Sequence, residues 1–153
     1  MADIKLVTFD LDNTLWNVES VLRNAETRMR SWLDERIPGF QTRFPMEVMA
    51  ELRNAVLEEN PSLRHDLSSL REEILFRAIA RAEFSRHDAR TLAREAFHIF
   101  LDARHEVEFY EGAIETLEIL SRDYVLGALT NGNADIRRLS IDRFFAFGYS
   151  AAS

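Results

Sequence analysis

Cysteine is absent from the 153 residues, which excludes disulfides, thiolate metal sites and a cysteine nucleophile. Lysine is nearly absent: Lys5 is the only one among 19 basic residues, so a mechanism that requires lysine has one candidate. A basic surplus is missing too, since 19 Lys and Arg stand against 26 Asp and Glu for a formal charge of −7. That balance argues against a phosphate-backbone grip on nucleic acid. No apolar run approaches the ~20 residues that span a bilayer, and the N-terminus lacks the basic and apolar regions of a secretory signal. A cytoplasmic location with neither membrane nor nucleic acid as partner is the expectation. What is present suffices for a packed core: 46% hydrophobic and 29% charged residues, in a length that suits one domain or one domain plus a small insert.

The chain opens on Ile4-Lys5-Leu6-Val7-Thr8-Phe9, an apolar run that fits a strand buried on both faces, as in parallel sheets. It stops at the polar cluster Asp10-Leu11-Asp12-Asn13-Thr14. From about Asn17 to Val107 the period becomes helical. Leu22, Ala25, Met29, Trp32 and Leu33 share one face, and Ile37-Pro38-Gly39 ends that helix. Pro45 opens a second stripe of Val48, Met49, Leu52, Val56 and Leu57. Leu67, Leu70, Ile74, Ala78 and Ile79 form a third. Ser85, with Asp88 as a variant capping box, opens a fourth of Leu92, Ala96, Ile99, Phe100 and Ala103. Four amphipathic helices in succession predict a small bundle.

The last third predicts a helix over 111–122 with Ile114, Leu117 and Leu120 inward, then a buried strand over 124–129. That strand also stops at a polar cluster, Thr130-Asn131-Gly132-Asn133. A short helix over 134–142 and a third strand around Phe144-Phe145-Ala146-Phe147 and Tyr149 complete the pattern. Beta-alpha-beta alternation implies parallel strands and right-handed crossovers. Ligands of such sheets gather at the carboxyl ends of the strands, and both polar clusters lie there.

Asp10 and Asp12 alternate along extended chain, so both side chains point the same way past the first strand. Adjacent carboxylates repel unless a cation or a shared proton relieves them. Mg²⁺ fits where the substrate also brings phosphate oxygens; one carboxylate can then attack phosphorus while the other moves protons. An ordinary polar turn accounts for the same four residues. Thr130, Asn131 and the amides of Gly132 and Asn133 would suit an oxyanion cradle, and equally a plain Asn-Gly turn.

Together the clusters match a family. Phe9-Asp10-Leu11-Asp12-Asn13-Thr14-Leu15 closely resembles the first motif, Asp-x-Asp-x-Thr, of haloacid dehalogenase (HAD) superfamily phosphatases. Leu129-Thr130-Asn131-Gly132-Asn133 resembles their second, and a helical cap inserted after the first motif is characteristic of one branch. The resemblance implies an α/β fold: a Rossmann-like parallel sheet of about three strands (1–16 and 108–153) with an inserted four-helix-bundle cap (17–107). It makes Asp10 the nucleophile of an aspartyl-phosphate and Asp12 the general acid/base. Mg²⁺ would be held by the Asp10 carboxylate and the Asp12 carbonyl. Thr130 would bind the transferring phosphoryl group, assisted by the Asn131 and Gly132 amides. The dehalogenase branch has no acid at the position of Asp12, so the resemblance favours a phosphatase of small phosphorylated metabolites, such as a sugar phosphate, nucleotide or flavin-pathway intermediate.

Two family motifs, a lysine and a final acidic pair, are missing before Ser153. Lys5 cannot replace the lysine, because five residues of strand place it ~16 Å from Asp10. Arg137 or Arg138 could approach the site from the predicted helix after the second cluster, but no spacing argument brings them there. In the family a further strand lies against the first, so here the first strand should be an exposed edge that invites self-association. A truncated or proteolysed phosphatase with impaired activity is the expectation. A haloacid dehalogenase-like hydrolase of a non-phosphate substrate and an inactive fragment acting as an interaction module are the alternatives. A phosphoacceptor of the receiver type is disfavoured by the long helical insert. His65, His87, His98 and His105 suit solvent-facing helix positions better than a zinc site. Trp16 suits either substrate contact or packing at the hinge.

Overall fold

Residues 4–150 are described by a computed structural model. Three strands, β1 (Leu6–Phe9), β2 (Val125–Thr130) and β3 (Phe147–Ser150), form one sheet in that order, and both pairs are parallel. Six helices accompany them: α1 (Val18–Arg36), α2 (Phe40–Arg43), α3 (Met46–Glu59), α4 (Leu67–Ala80), α5 (Arg86–Arg104) and α6 (Ala113–Asp123). The chain divides into two compact units, one built from residues up to Leu22 and from Arg104 onward, the other from Arg23–Ala103. This is an α/β fold with a Rossmann-like core and a helical cap, as the alternation of periods predicts. No helix among the described residues is long and apolar enough to cross a membrane.

In the first unit Leu11, Leu15 and Trp16 pack with Leu117 of α6, Leu126 and Ala128 of β2, Ile136 and Ile141. The expected burial of the first strand on both faces does not hold: no residue of β1 is buried, and alternation along the strands leaves the opposite sheet face open. Leu6 lies beside Val125 and Leu129 beside Tyr149, and these four are between 45% and 63% exposed. Phe147 covers part of that face: its ring lies over Gly127, where a Cβ would come within 2.2 Å of it. Among the described residues β1 pairs only with β2 and is an edge strand, as expected.

Three further local expectations give way. The segment after β2 forms two three-residue 3-10 turns, over Ile136–Arg138 and Asp142–Phe144, not one helix. The Asp135 side chain accepts from Arg137 N at 3.0 Å, a local bond that competes with helix continuation. The second turn delays β3 to Phe147, and Phe144 and Phe145 pack against the core before the strand begins. On α6 Leu117 is fully buried and Leu120 half-buried, while Ile114 faces out; a three-stranded sheet offers the helix a narrow floor.

The second unit follows the helical stripes closely. Ala25, Met29 and Leu33 of α1, Leu52 and Val56 of α3, Leu70 and Ile79 of α4 and Ala96 and Phe100 of α5 are all buried. Their spacing is the i, i+3, i+4, i+7 pattern of one apolar face. Polar caps set the starts. Asn17 Oδ1 accepts from Glu19 N and Ser20 N at 2.9 and 3.3 Å, and Ser85 Oγ from Asp88 N at 3.1 Å. The α1 helix stops before Pro38, and Gly39 takes φ of +78° to lead into α2, which is too short for a periodicity to announce. Charges fasten the polar faces: Arg77 bridges Glu59 and Glu73, Arg90 pairs with Glu73, and Arg71 pairs with Glu26 while lying 3.8 Å over the Phe100 ring.

Candidate active site

β1 and β2 run parallel, so Asp10, directly after β1, and Thr130, the last residue of β2, reach the same sheet edge. Between Leu11 and Trp16 the chain doubles back. Thr14 N and Leu15 N both donate to Leu11 O at 3.1 and 2.9 Å, and Asn13 N donates to Trp16 O at 2.8 Å. Asn13 adopts φ of +60°, a left-handed conformation that asparagine tolerates better than most residues. This turn places the Trp16 indole under Asp12, with Nε1 donating to Asp12 Oδ1 at 2.9 Å. Trp16 is fully buried and meets Phe109 edge to face at 5.8 Å. Of the two readings of Trp16, the structure supports packing.

The Asp12 carboxylate has a second partner that sequence reasoning missed. Arg104, the last residue of α5, points Nη2 at both carboxylate oxygens, 2.7 Å from Oδ1 and 2.6 Å from Oδ2. Its side chain is 1% exposed against 19% for Asp12. The contact is end-on through one nitrogen, and Nε and Nη1 are buried without a hydrogen-bond partner. An arginine in the last turn of a helix ordinarily serves the helix dipole, so only its distance from Asp12 marks it out.

Gly132 closes the cluster. A Cβ there would lie 2.6 Å from Asp12 Oδ2, 3.4 Å from Arg104 Nη2 and 3.5 Å from Thr130 Oγ1. Asp12, Thr130 and Gly132 therefore converge, as the two polar clusters suggested. The Gly132 N–H, expected as an anion donor, donates to Thr130 Oγ1 at 3.1 Å. Asp10 is exposed and accepts from Thr14 Oγ1 at 3.5 Å. Asn131 is exposed beside them. His105 is half-buried, and its Nε2 accepts from Asp135 N at 2.9 Å, which anchors the loop after β2. Arg137 is engaged by Asp135 at 2.9 and 3.0 Å. That contact holds the Asp135 carboxyl below its ordinary value and raises Arg137.

A carboxylate exposed at the mouth, a second fixed behind it and a hydroxyl on the neighbouring strand form the arrangement on which the family resemblance rests. A family model of haloacid dehalogenase-like hydrolases matches residues 4–152, and the chain belongs to that family. Among its relatives is the 5-amino-6-(5-phospho-D-ribitylamino)uracil phosphatase YigB of Escherichia coli K12, 29% identical over 96% of this chain and 61% of that protein. A 2-haloacid dehalogenase structure from Pseudomonas syringae pv. Tomato DC3000 superposes with a TM-score of 0.92 at 43% identity, over 98% of this chain and 65% of that one. A haloacid dehalogenase-like hydrolase from Xanthomonas campestris shares the fold at 20% identity, with a TM-score of 0.54 over 96% of this chain and 61% of that one. The chain thus spans less than two thirds of the length of each.

Proposed function

We propose that this chain carries the nucleophile and acid/base half of a Mg²⁺-dependent phosphomonoesterase that acts through an aspartyl-phosphate. The observation that carries the reading is Asp12: a second carboxylate two residues after Asp10, with Oδ2 against Gly132, whose N–H donates to Thr130 Oγ1. Asp10, exposed at the sheet edge, would attack phosphorus through a carboxylate oxygen. The bond from phosphorus to the ester oxygen breaks, and Asp12 gives its proton to the leaving alkoxide. Asp12 then takes a proton from water as the water oxygen attacks phosphorus, and the Asp10 carboxylate is released. Thr130, Asn131 and Gly132 would hold the phosphoryl oxygens, and positioning of this kind supplies most of the catalysis in phosphoryl transfer.

Mg²⁺, when bound, would neutralise charge between Asp10 and the phosphoryl oxygens. The donors suit it in kind: one exposed carboxylate and the Asp12 main-chain carbonyl, with phosphate oxygens and water completing the shell as this ion ordinarily requires. The Asp12 carboxylate is occupied by Trp16 and Arg104, which favours its carbonyl as the ligand. No group of three or more His, Asp or Glu side chains is poised to hold a metal among the described residues.

A small phosphorylated metabolite is the substrate class, and the likeness to YigB favours a phosphorylated polyol side chain. Dehalogenation is the second reading, supported by the 43% identity to a protein described as a 2-haloacid dehalogenase. Parallel assays of phosphate release from p-nitrophenyl phosphate and halide release from 2-chloropropionate, with Asp10→Asn in each, separate the two. Phosphate release that requires Asp10 and Mg²⁺ is the expected result; halide release alone would sink the proposal. The β1 edge, which pairs only with β2 among the described residues, also supports self-association, and a mass that stays monomeric across micromolar concentrations in sedimentation would exclude it.

A further inference from the structure

An ionised carboxylate offers about four lone-pair positions, two on each oxygen. On Asp12 three are engaged. Trp16 Nε1 and Arg104 Nη2 both reach Oδ1, and Arg104 Nη2 also reaches Oδ2. One position is left, on Oδ2, the oxygen against which a side chain at 132 would collide at 2.6 Å. Three features converge: a carboxylate clamped from its buried side, a single open position, and a glycine that keeps that position clear.

We infer that Arg104 is a positioning residue for proton transfer: it works with Trp16 to leave Asp12 Oδ2 as the oxygen that carries the proton. The inference rests on the phosphomonoesterase reading and deepens it. The proton leaves Oδ2 for the alkoxide as the ester bond breaks, and returns to Oδ2 from the attacking water. Two details of the contact support a role beyond stability. An arginine placed only to form a strong ion pair favours a side-on fork with two nitrogens on two oxygens. Arg104 approaches end-on instead, and its Nε and Nη1 are buried without partners. That arrangement spends hydrogen bonds to place one nitrogen at both oxygens. Because one nitrogen makes the contact, a lysine, which is a point charge on a flexible stem, can reproduce it.

Leaving-group dependence tests the inference, since p-nitrophenolate departs without a proton and an alkoxide does not. kcat and KM are measured on p-nitrophenyl phosphate and β-glycerol phosphate for the wild-type chain, Arg104→Gln, Arg104→Lys, Gly132→Ala and Asp10→Asn. Arg104→Gln should lower kcat/KM, which reports the steps through departure of the leaving group, by about 100-fold on the alkyl ester, the low end of general-acid effects, and by less than about fivefold on the aryl ester. Arg104→Lys should recover most of the alkyl loss, and Gly132→Ala should lose alkyl turnover with its folded circular-dichroism signal intact. Equal losses of kcat/KM on both substrates in Arg104→Gln overturn the inference and leave the phosphatase reading standing. Turnover that survives Asp10→Asn overturns both.

Discussion

Two charged side chains are buried among the described residues, one in each unit, and they are used differently. Arg30, on α1, donates through Nη2 to the carbonyl of Phe44 at 2.6 Å and reaches that of Gln41 at 3.4 Å, so it holds the end of α2 by neutral acceptors. Its guanidinium also lies 5.9 Å from the Phe40 ring, and Phe40 packs on Phe44. Arg104 faces a carboxylate at the sheet edge where the chemistry is proposed. Each leaves buried N–H groups without partners. Arg30 completes a fold, since its partners are backbone groups that would otherwise be left unsatisfied. Arg104 meets a group that is partly open to water and could be solvated without it. Burial of a charge therefore does not identify a functional residue; the partner does.

The largest effect that would break this comparison is on activity. Asp10→Asn should cost at least about 10³-fold in hydrolysis, or about 4 kcal/mol of barrier, with an unchanged melting temperature because Asp10 is exposed. Steady-state phosphate release with a parallel thermal melt measures both. Next is an asymmetry within the ion pair. Asp12→Ala strands a fully buried guanidinium and should destabilise the chain by about 3–5 kcal/mol, whereas Arg104→Met leaves a carboxylate that water can reach and should cost about 1 kcal/mol or less. Urea unfolding of the two variants compares them. Equal losses would show that Asp12 is no better solvated than Arg104, and would remove the contrast with Arg30.

The same contrast explains what was legible in the sequence. The strands showed as apolar runs and the cap helices as stripes, because burial on one face imposes a period on neighbouring residues. Asp10 and Asp12 stood out because the two carboxylates directly follow an apolar strand-like run, and Thr130 because it follows another. Arg104 was not visible: it lies 92 residues from Asp12 and ends a stripe whose last apolar member is Ala103. Long-range pairing leaves no local periodicity. Trp16 was ambiguous because an indole suits both a core and a substrate, and only its bond to Asp12 decides. The 3-10 turns after β2 escaped because side-chain bonds such as that of Asp135 override a weak helical pattern.

Smaller effects test whether the second unit is purely structural. Arg30→Met should cost about 2 kcal/mol, the range for hydrogen bonds from a charged group, and leave kcat unchanged; a fall in kcat would give Arg30 a role like that of Arg104.

The smallest predicted effect belongs to Asp66, which caps α4 by accepting from Ser69 N at 2.9 Å. Asp66→Ala should cost about 1 kcal/mol near neutral pH. The hydrogen bonds from Ser69 hold the Asp66 carboxyl below its ordinary value of 3.8, against a smaller opposing effect of burial. A lowered folded value means that the unfolded chain takes up the proton first as pH falls. The stabilisation from Asp66 is therefore complete above about pH 5, shrinks as pH falls through the unfolded and then the folded value, and vanishes below both. Melting temperatures of wild type and Asp66→Ala should run parallel from pH 8 to about pH 5 and converge below that. A gap that persists in acid would mean that Asp66 caps the helix through its shape and not through its charge.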